Sequence, residues 1–294
     1  MKRNDSLELK IIRVALPLLI YYGIQLVVQT FFGIYAMIKK FGDIEGSDSA
    51  GYILAYNFLD NTEEYINTHS LVVLLLAAVP TICILSFMMK REFGDTVFSE
   101  WETIGKKEIL IFGCMGIFIA SGLGRLVQVL PMDNIIGSYQ AISEEFANNS
   151  PVFQILTLCI AAPVAEEMIF RGVMYRRLLE YTDKVMAVII TAALFGIYHG
   201  NLVQAVYALI LGVLLCFVYD SCKSLAAPIF VHMACNTTSL IMMHFPVSQY
   251  ITDRLILNIV VIILELAGMT FFTWMLYSLK QKEKEKEEEK TTNV

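Results

Sequence analysis

Charged residues are scarce in this chain. They make up 17% of its 294 residues, against about 25% in soluble domains, and that shortfall sets it apart from an ordinary water-soluble domain. The formal charge of −6 is a poor guide to partners, because much of the charge lies in loops and a short tail; nothing in it suggests a nucleic-acid binder. Cysteines number six and none forms a CxxC pair, which argues against a disulfide framework or a Cys-based zinc site; they read as small apolar core residues. Histidines number only four. No His-Glu-x-x-His helix, no Ser/His/Asp or Cys/His set and no internal repeat stands out.

What is present is apolar sequence. Hydrophobic residues reach 56%, and they fall into runs long enough for helices to cross a hydrocarbon core, which takes about 20 residues each. Eight candidate spans occur, at 11–38, 70–89, 108–130, 151–175, 185–200, 202–219, 225–245 and 255–279. The fold class is therefore all-α: a polytopic membrane helix bundle of about eight transmembrane helices. The fifth and sixth spans are short and nearly continuous, so the chain must turn sharply near Gly200-Asn201. The first span is too long for a signal peptide and ends in Lys39-Lys40 rather than a cleavage site.

Basic residues predict the orientation. Lys2, Arg3 and Lys10 precede the first span, Lys90, Arg91, Lys106 and Lys107 lie between the second and third, and Arg176, Arg177 and Lys184 follow the fourth. Lys223 and the Lys/Glu tail complete the set. The opposite loops are acidic, with Asp43, Glu45, Asp48, Asp60, Glu63 and Glu64 in one and Asp133, Glu144 and Glu145 in the other. Both termini are expected on the cytoplasmic side. The chain divides into three amino-terminal spans with two external loops (1–150), a motif-bearing region (151–250), a last span (251–279) and a charged tail (280–294). The tail is expected to extend the last helix by a turn or two at most. A short amphipathic piece is expected near 55–65, and Gly113, Gly116 and Gly124 give the third span a small-residue face for close helix contact.

Ionisable residues inside a span mark function by default. Three clusters qualify. Glu166-Glu167-x-x-x-Arg171 places Glu167 and Arg171 at i,i+4, the favourable order for an ion pair, and leaves Glu166 free to face a cavity. Pro163, three residues earlier, removes one backbone hydrogen bond. Phe195-Gly-Ile-Tyr-His199 and His232-Met-Ala-Cys-Asn236 each put two functional side chains on one helix face. Reckoned at about 1.5 Å per residue from the basic boundary, Glu166 and His232 lie at about 15 and 14 Å, and His199 at about 22 Å. Arg125 and Glu265 are further charges inside spans, with no role evident from the sequence.

These three motifs, in this order, resemble the CPBP family of CAAX proteases and bacteriocin-processing membrane proteins, also called the Abi family. The resemblance covers about 152–245. It implies an intramembrane glutamic endopeptidase, with Glu166 and His199 activating water and His232 and Asn236 stabilising the oxyanion. Glu167, Arg171 and Phe195 match as supporting residues. No cofactor is implied, and the expected partners are the bilayer and a membrane-embedded or lipidated peptide substrate, with no nucleic acid. The chemistry agrees: amide hydrolysis needs a base for water, a donor for the oxyanion and a proton for the leaving amine. Zinc held by Glu166, His199 and His232 is the nearest alternative. A non-catalytic immunity factor or scaffold, whose polar cluster merely pins helices, is another.

Overall fold

A computed structural model describes residues 5–42, 66, 68–94, 104–129, 146, 149–245 and 254–292 of the chain. Most of both expected external loops, including the amphipathic piece near 55–65, lies outside the described residues. Among the described residues, eight helices carry the fold: α1 (Leu7–Gly42), α2 (Ser70–Phe93), α3 (Lys106–Val129), α4 (Pro151–Tyr181), α5 (Lys184–Tyr198), α6 (Leu202–Cys222), α7 (Ala226–His244) and α8 (Leu255–Thr292). Seven are long and apolar enough to cross a membrane, and α5 is a shorter apolar helix. Helices are the expected solution, because a span in hydrocarbon must satisfy its backbone hydrogen bonds internally.

The sharp turn between α5 and α6 lies where the sequence places it. Gly200 adopts φ +67°, a backbone conformation that costs glycine little. Asn201 then caps α6, its Oδ1 accepting from the amides of Val203 at 3.0 Å and Gln204 at 3.3 Å. That cap satisfies orphan amides at the helix start and brings α5 back along α6 as an antiparallel pair.

The fourth span departs from a plain α-helix. Two stretches of it, Ile155–Ala161 and Met168–Tyr175, are π-helical, on either side of the α-helical Ala162–Glu167. Sequence periodicity carries no signal for this. Pro163 accounts for part of it: the Ala162 amide is given to Thr157, five residues back, and Pro163 has no amide to give to Leu158. The second π stretch is buried along its whole length, Met168 to Tyr175, and α4 is the axis against which α1, α2, α5 and α7 pack.

Close approach and charge hold the other helices. A Cβ on Gly116 would run into Ala234 and the Cys235 amide, so α3 and α7 meet backbone to backbone there. Gly113 and Gly124 have open space instead, so only one of the three expected small residues makes the contact. At the end of the bundle bearing the basic residues, Arg13 of α1 reaches Glu180 at 3.0 Å, Asp5 at 3.3 Å, Tyr181 at 2.5 Å and Glu92 at 2.5 Å. Arg177 pairs with Glu92 at 2.6 Å and donates to the Arg13 carbonyl. Arg125 and Glu265 form a buried pair, Nε to Oε2 at 3.1 Å, joining α3 to α8.

Two expectations need correction. α8 continues unbroken to Thr292 rather than ending a turn or two past the last span. Ion pairs along it supply the reason: Lys280 contacts Glu283 at 2.9 Å and Glu108 of α3 at 3.2 Å, and Lys284 lies 3.7 Å from Glu288. The cysteines are also not uniformly core residues. Cys159, Cys216 and Cys235 are buried, Cys114 and Cys222 are partly buried, and Cys83 is exposed on the outward face of an apolar span, where lipid is as good a solvent for a thiol as protein.

Candidate active site

Glu167 is the first fixed point of the site. It is fully buried, and its Oε1 receives two hydrogen bonds, from Arg171 Nη1 at 2.8 Å and from His232 Nδ1 at 2.9 Å. Arg171 sits one turn along α4, as the i,i+4 spacing predicts. It is itself fully buried; its Nη2 donates to the Gly212 carbonyl at 2.9 Å, and its guanidinium lies 4.7 Å from the centre of the Phe195 ring. The close packing of Gly212 against Ala192 makes that carbonyl reachable. A buried charge this far from water has to be paired, and Glu167 supplies the pair.

This arrangement fixes a proton. A carboxylate bonded to Arg171 can only accept, so His232 donates from Nδ1. Its Nε2 then points at the other glutamate, 3.7 Å from Glu166 Oε2. Glu166 is buried too, and His232, His199, Glu167 and Arg171 are within electrostatic reach of it. The quarter-turn between adjacent helical residues thus sends Glu167 to the structural arginine and Glu166 to the imidazoles.

His199 follows the same logic. It caps the end of α5, and its Nδ1 lies 2.8 Å from the Phe195 carbonyl. A carbonyl accepts only, so Nδ1 carries a hydrogen and Nε2 faces away from that bond. The Phe195 ring is the common neighbour of both imidazoles, edge-on to His199 at 4.9 Å and to His232 at 5.7 Å. Side chains of all three motif helices meet at the Phe195 ring: Phe170 and Arg171 of α4, His199 at the end of α5 and His232 of α7.

Asn236, one turn beyond His232 on α7, donates from Nδ2 to the Leu158 carbonyl at 2.8 Å. One amide hydrogen is thereby committed and the second is left over. Asn236 also borders a cavity of about 170 Å³ between α3, α4, α6 and α7.

Three tyrosines escape a sequence reading. Tyr21 and Tyr22 of α1 and Tyr198 of α5 all lie within electrostatic reach of Glu166. Tyr21 and Tyr198 pack edge to face, with ring centres 5.8 Å apart, and Tyr198 stands 5.4 Å from the His199 ring. A tyrosine pair on a remote apolar span carries no motif signal. Among the described residues, no three His, Cys, Asp or Glu side chains cluster tightly enough to share a metal ion.

Comparison with known proteins agrees with the motifs. Residues 148–238 match the family described as type II CAAX prenyl endopeptidase Rce1-like. A Bacillus subtilis (strain 168) protein named "Putative membrane peptidase YdiL" is 34% identical over 100 residues, which is 34% of this chain and 41% of the relative's own length. The chain thus spans about two fifths of the curated relative it matches. No solved structure matches. The resemblance to CAAX-protease-type membrane peptidases holds over the region that carries Glu166, His199, His232 and Asn236.

Proposed function

We propose that this protein is an intramembrane endopeptidase that hydrolyses a peptide bond of a membrane-associated, prenylated or leader peptide with water activated by Glu166 and His199. The observation that carries the proposal is the division of labour between adjacent glutamates: Glu167 is consumed by Arg171 and His232, while Glu166 has a free carboxylate edge 3.7 Å from His232 Nε2.

The steps follow from the proton positions. His199, with its hydrogen committed to Phe195, accepts a hydrogen bond from water at Nε2. Glu166 takes the other proton of that water as its oxygen attacks the scissile carbonyl. The oxyanion is received by the second Nδ2 hydrogen of Asn236 and by His232 Nε2. For His232 to donate there its ring carries both protons, a cation that faces Glu167 at 2.9 Å and Glu166 at 3.7 Å. Glu166 then returns its proton to the leaving amine, and no acyl-enzyme forms. Donors of this kind, preorganised in a site of low dielectric, are commonly the largest single contribution to catalysis.

Zinc is a second reading with less support, because no three of its possible ligands cluster tightly among the described residues. Both imidazoles commit Nδ1 to a protein acceptor and present Nε2, an arrangement also used by metal-ligating histidines. The distribution of basic residues supports cytoplasmic termini and a substrate that lies in the bilayer.

The test is cleavage of a diverse peptide set, farnesylated carboxy-terminal peptides included, by detergent-purified protein. Wild type and Glu166→Gln are compared by mass spectrometry, each with and without chelator. Products from wild type alone, insensitive to chelator, are expected. Loss of products on chelation and recovery with zinc would favour the metal reading. A biological phenotype retained by Glu166→Gln would favour a scaffold.

A further inference from the structure

The cavity beside Asn236 has a shape and a direction. Its deep end is formed by Ile119, Leu211 and Asn236, at mid-helix in α3, α6 and α7, and by Leu158, about two turns into α4. Its other end is formed by Phe146, Gln204 and Met243. Gln204 is two residues from the start of α6, and Met243 is one from the end of α7. From Leu211 to Gln204 is seven residues of helix, about 10 Å. The cavity therefore runs from the candidate oxyanion donor toward the end of the bundle opposite Arg176, Lys184 and Lys223. Its far rim is built. Gln154 donates to the Phe146 carbonyl at 3.0 Å and to the Asn149 carbonyl at 2.8 Å, and His244 donates to Gln154 Oε1 at 2.8 Å.

Size limits what can occupy it. An apolar cavity of about 150 Å³ accepts benzene, and pockets for drug-sized ligands span about 300–1,000 Å³. At about 170 Å³, this one holds a single phenyl- or leucine-sized group and has no room for a farnesyl chain. Most of its walls are apolar, and the polar exceptions, Asn236, Ser239, Gln204 and Tyr207, suit the backbone of a bound peptide.

We propose that this cavity is the specificity pocket of the peptidase: it takes one large apolar side chain of a membrane-embedded peptide, lying between the scissile bond and the end of the bundle opposite the basic one. The assignment rests on the peptidase reading, because it is the link through Asn236 and His232 to Glu166 that makes the cavity a substrate subsite.

The experiment uses full-length Glu166→Gln protein in phosphatidylcholine vesicles, with an alanine-rich transmembrane peptide carrying one photo-leucine at successive positions. Photolysis is expected to give adducts on Ile119, Leu240 or Met243 from one position of the peptide. Two cavity-filling changes are then made. A side chain at Gly124 meets open space, so Gly124→Leu fills the pocket without displacing a neighbour, and Ser239→Leu fills it from α7. Each is expected to cut the adduct yield at least tenfold with unchanged gel-filtration behaviour. Adducts only on other faces, no adducts, yields undiminished by either change, or displacement of the adduct by a farnesylated cysteine peptide would overturn the pocket. Cleavage of the same peptides by wild type is read separately. Cleavage with no pocket adducts leaves the peptidase standing and removes the pocket; pocket adducts with no cleavage leave a peptide-binding cavity and remove its role as a substrate subsite.

Discussion

Asn236 donates to the carbonyl of Leu158 across 2.8 Å, and that carbonyl is open because the residue five places on is Pro163. In the π-helical register of this stretch, the Ala162 amide serves Thr157 and the next amide is missing. A proline in α4 thus creates the acceptor that orients a side chain on α7. The motif asparagine and the proline act together, although 73 residues separate them in the chain.

A double-mutant cycle measures that coupling. Asn236→Ala leaves a part-buried carbonyl unpaired, a cost at the lower end of about 1–3 kcal/mol, and is expected to lower the detergent unfolding midpoint. Pro163→Ala returns an amide to Leu158, so the double variant should recover stability but not cleavage. Additive losses in the unfolding midpoint would show the two residues to be independent.

Glu166→Gln keeps the shape of the side chain and removes the base. Peptide cleavage is expected to fall by about 10²–10⁴-fold, the usual contribution of a positioned acid-base group, with no change in gel filtration or unfolding midpoint. Activity near wild type would remove Glu166 from the mechanism.

Glu167→Gln should behave differently from its neighbour. It strands Arg171, which is fully buried, and breaking a buried pair from one side costs about 3–5 kcal/mol. The expected signature is loss of folded yield as well as of cleavage. Replacing both members, Glu167→Leu with Arg171→Met, should restore much of the yield and none of the activity, because His232 loses the carboxylate that holds its Nδ1 proton and orients the ring.

Gly116 and Gly113 form a paired control for helix contact. Gly116→Val collides with Ala234 and Cys235 and should abolish folded protein in a fluorescence size-exclusion screen. Gly113→Ala, with nothing within 4 Å, should express as wild type and gain slightly from helix propensity. Equal behaviour of the two would contradict the close approach of α3 and α7.

The sequence displays those features whose physics is local. Runs of apolar residues give the spans, Gly200-Asn201 gives the α5–α6 turn, and i,i+4 spacing gives the Glu167–Arg171 pair. It does not display what depends on another helix. That His232 donates to Glu167, that Phe195 sits between the two imidazoles, and that Arg125 finds Glu265 are tertiary facts with no periodicity to betray them. The π stretches of α4 are hidden for a further reason: a shift from four to five residues in hydrogen-bond register leaves the apolar composition of a span untouched. Tyr21 and Tyr22 lie on an apolar span with nothing polar beside them, and Tyr198, although next to His199, is not one of the motif's spaced positions.

The contacts of α1 change what counts as the unit of this protein. The region that matches known relatives begins at 148, yet Arg13 is clamped to Glu180 and Tyr181 near the end of α4, and the Tyr21 ring packs edge-on against Tyr198, the neighbour of His199. The recognisable third is therefore not a cassette that can be lifted out or grafted onto another bundle. A chimera that keeps the motifs and exchanges the first helix would inherit the catalytic letters and lose one wall of the room they are read in.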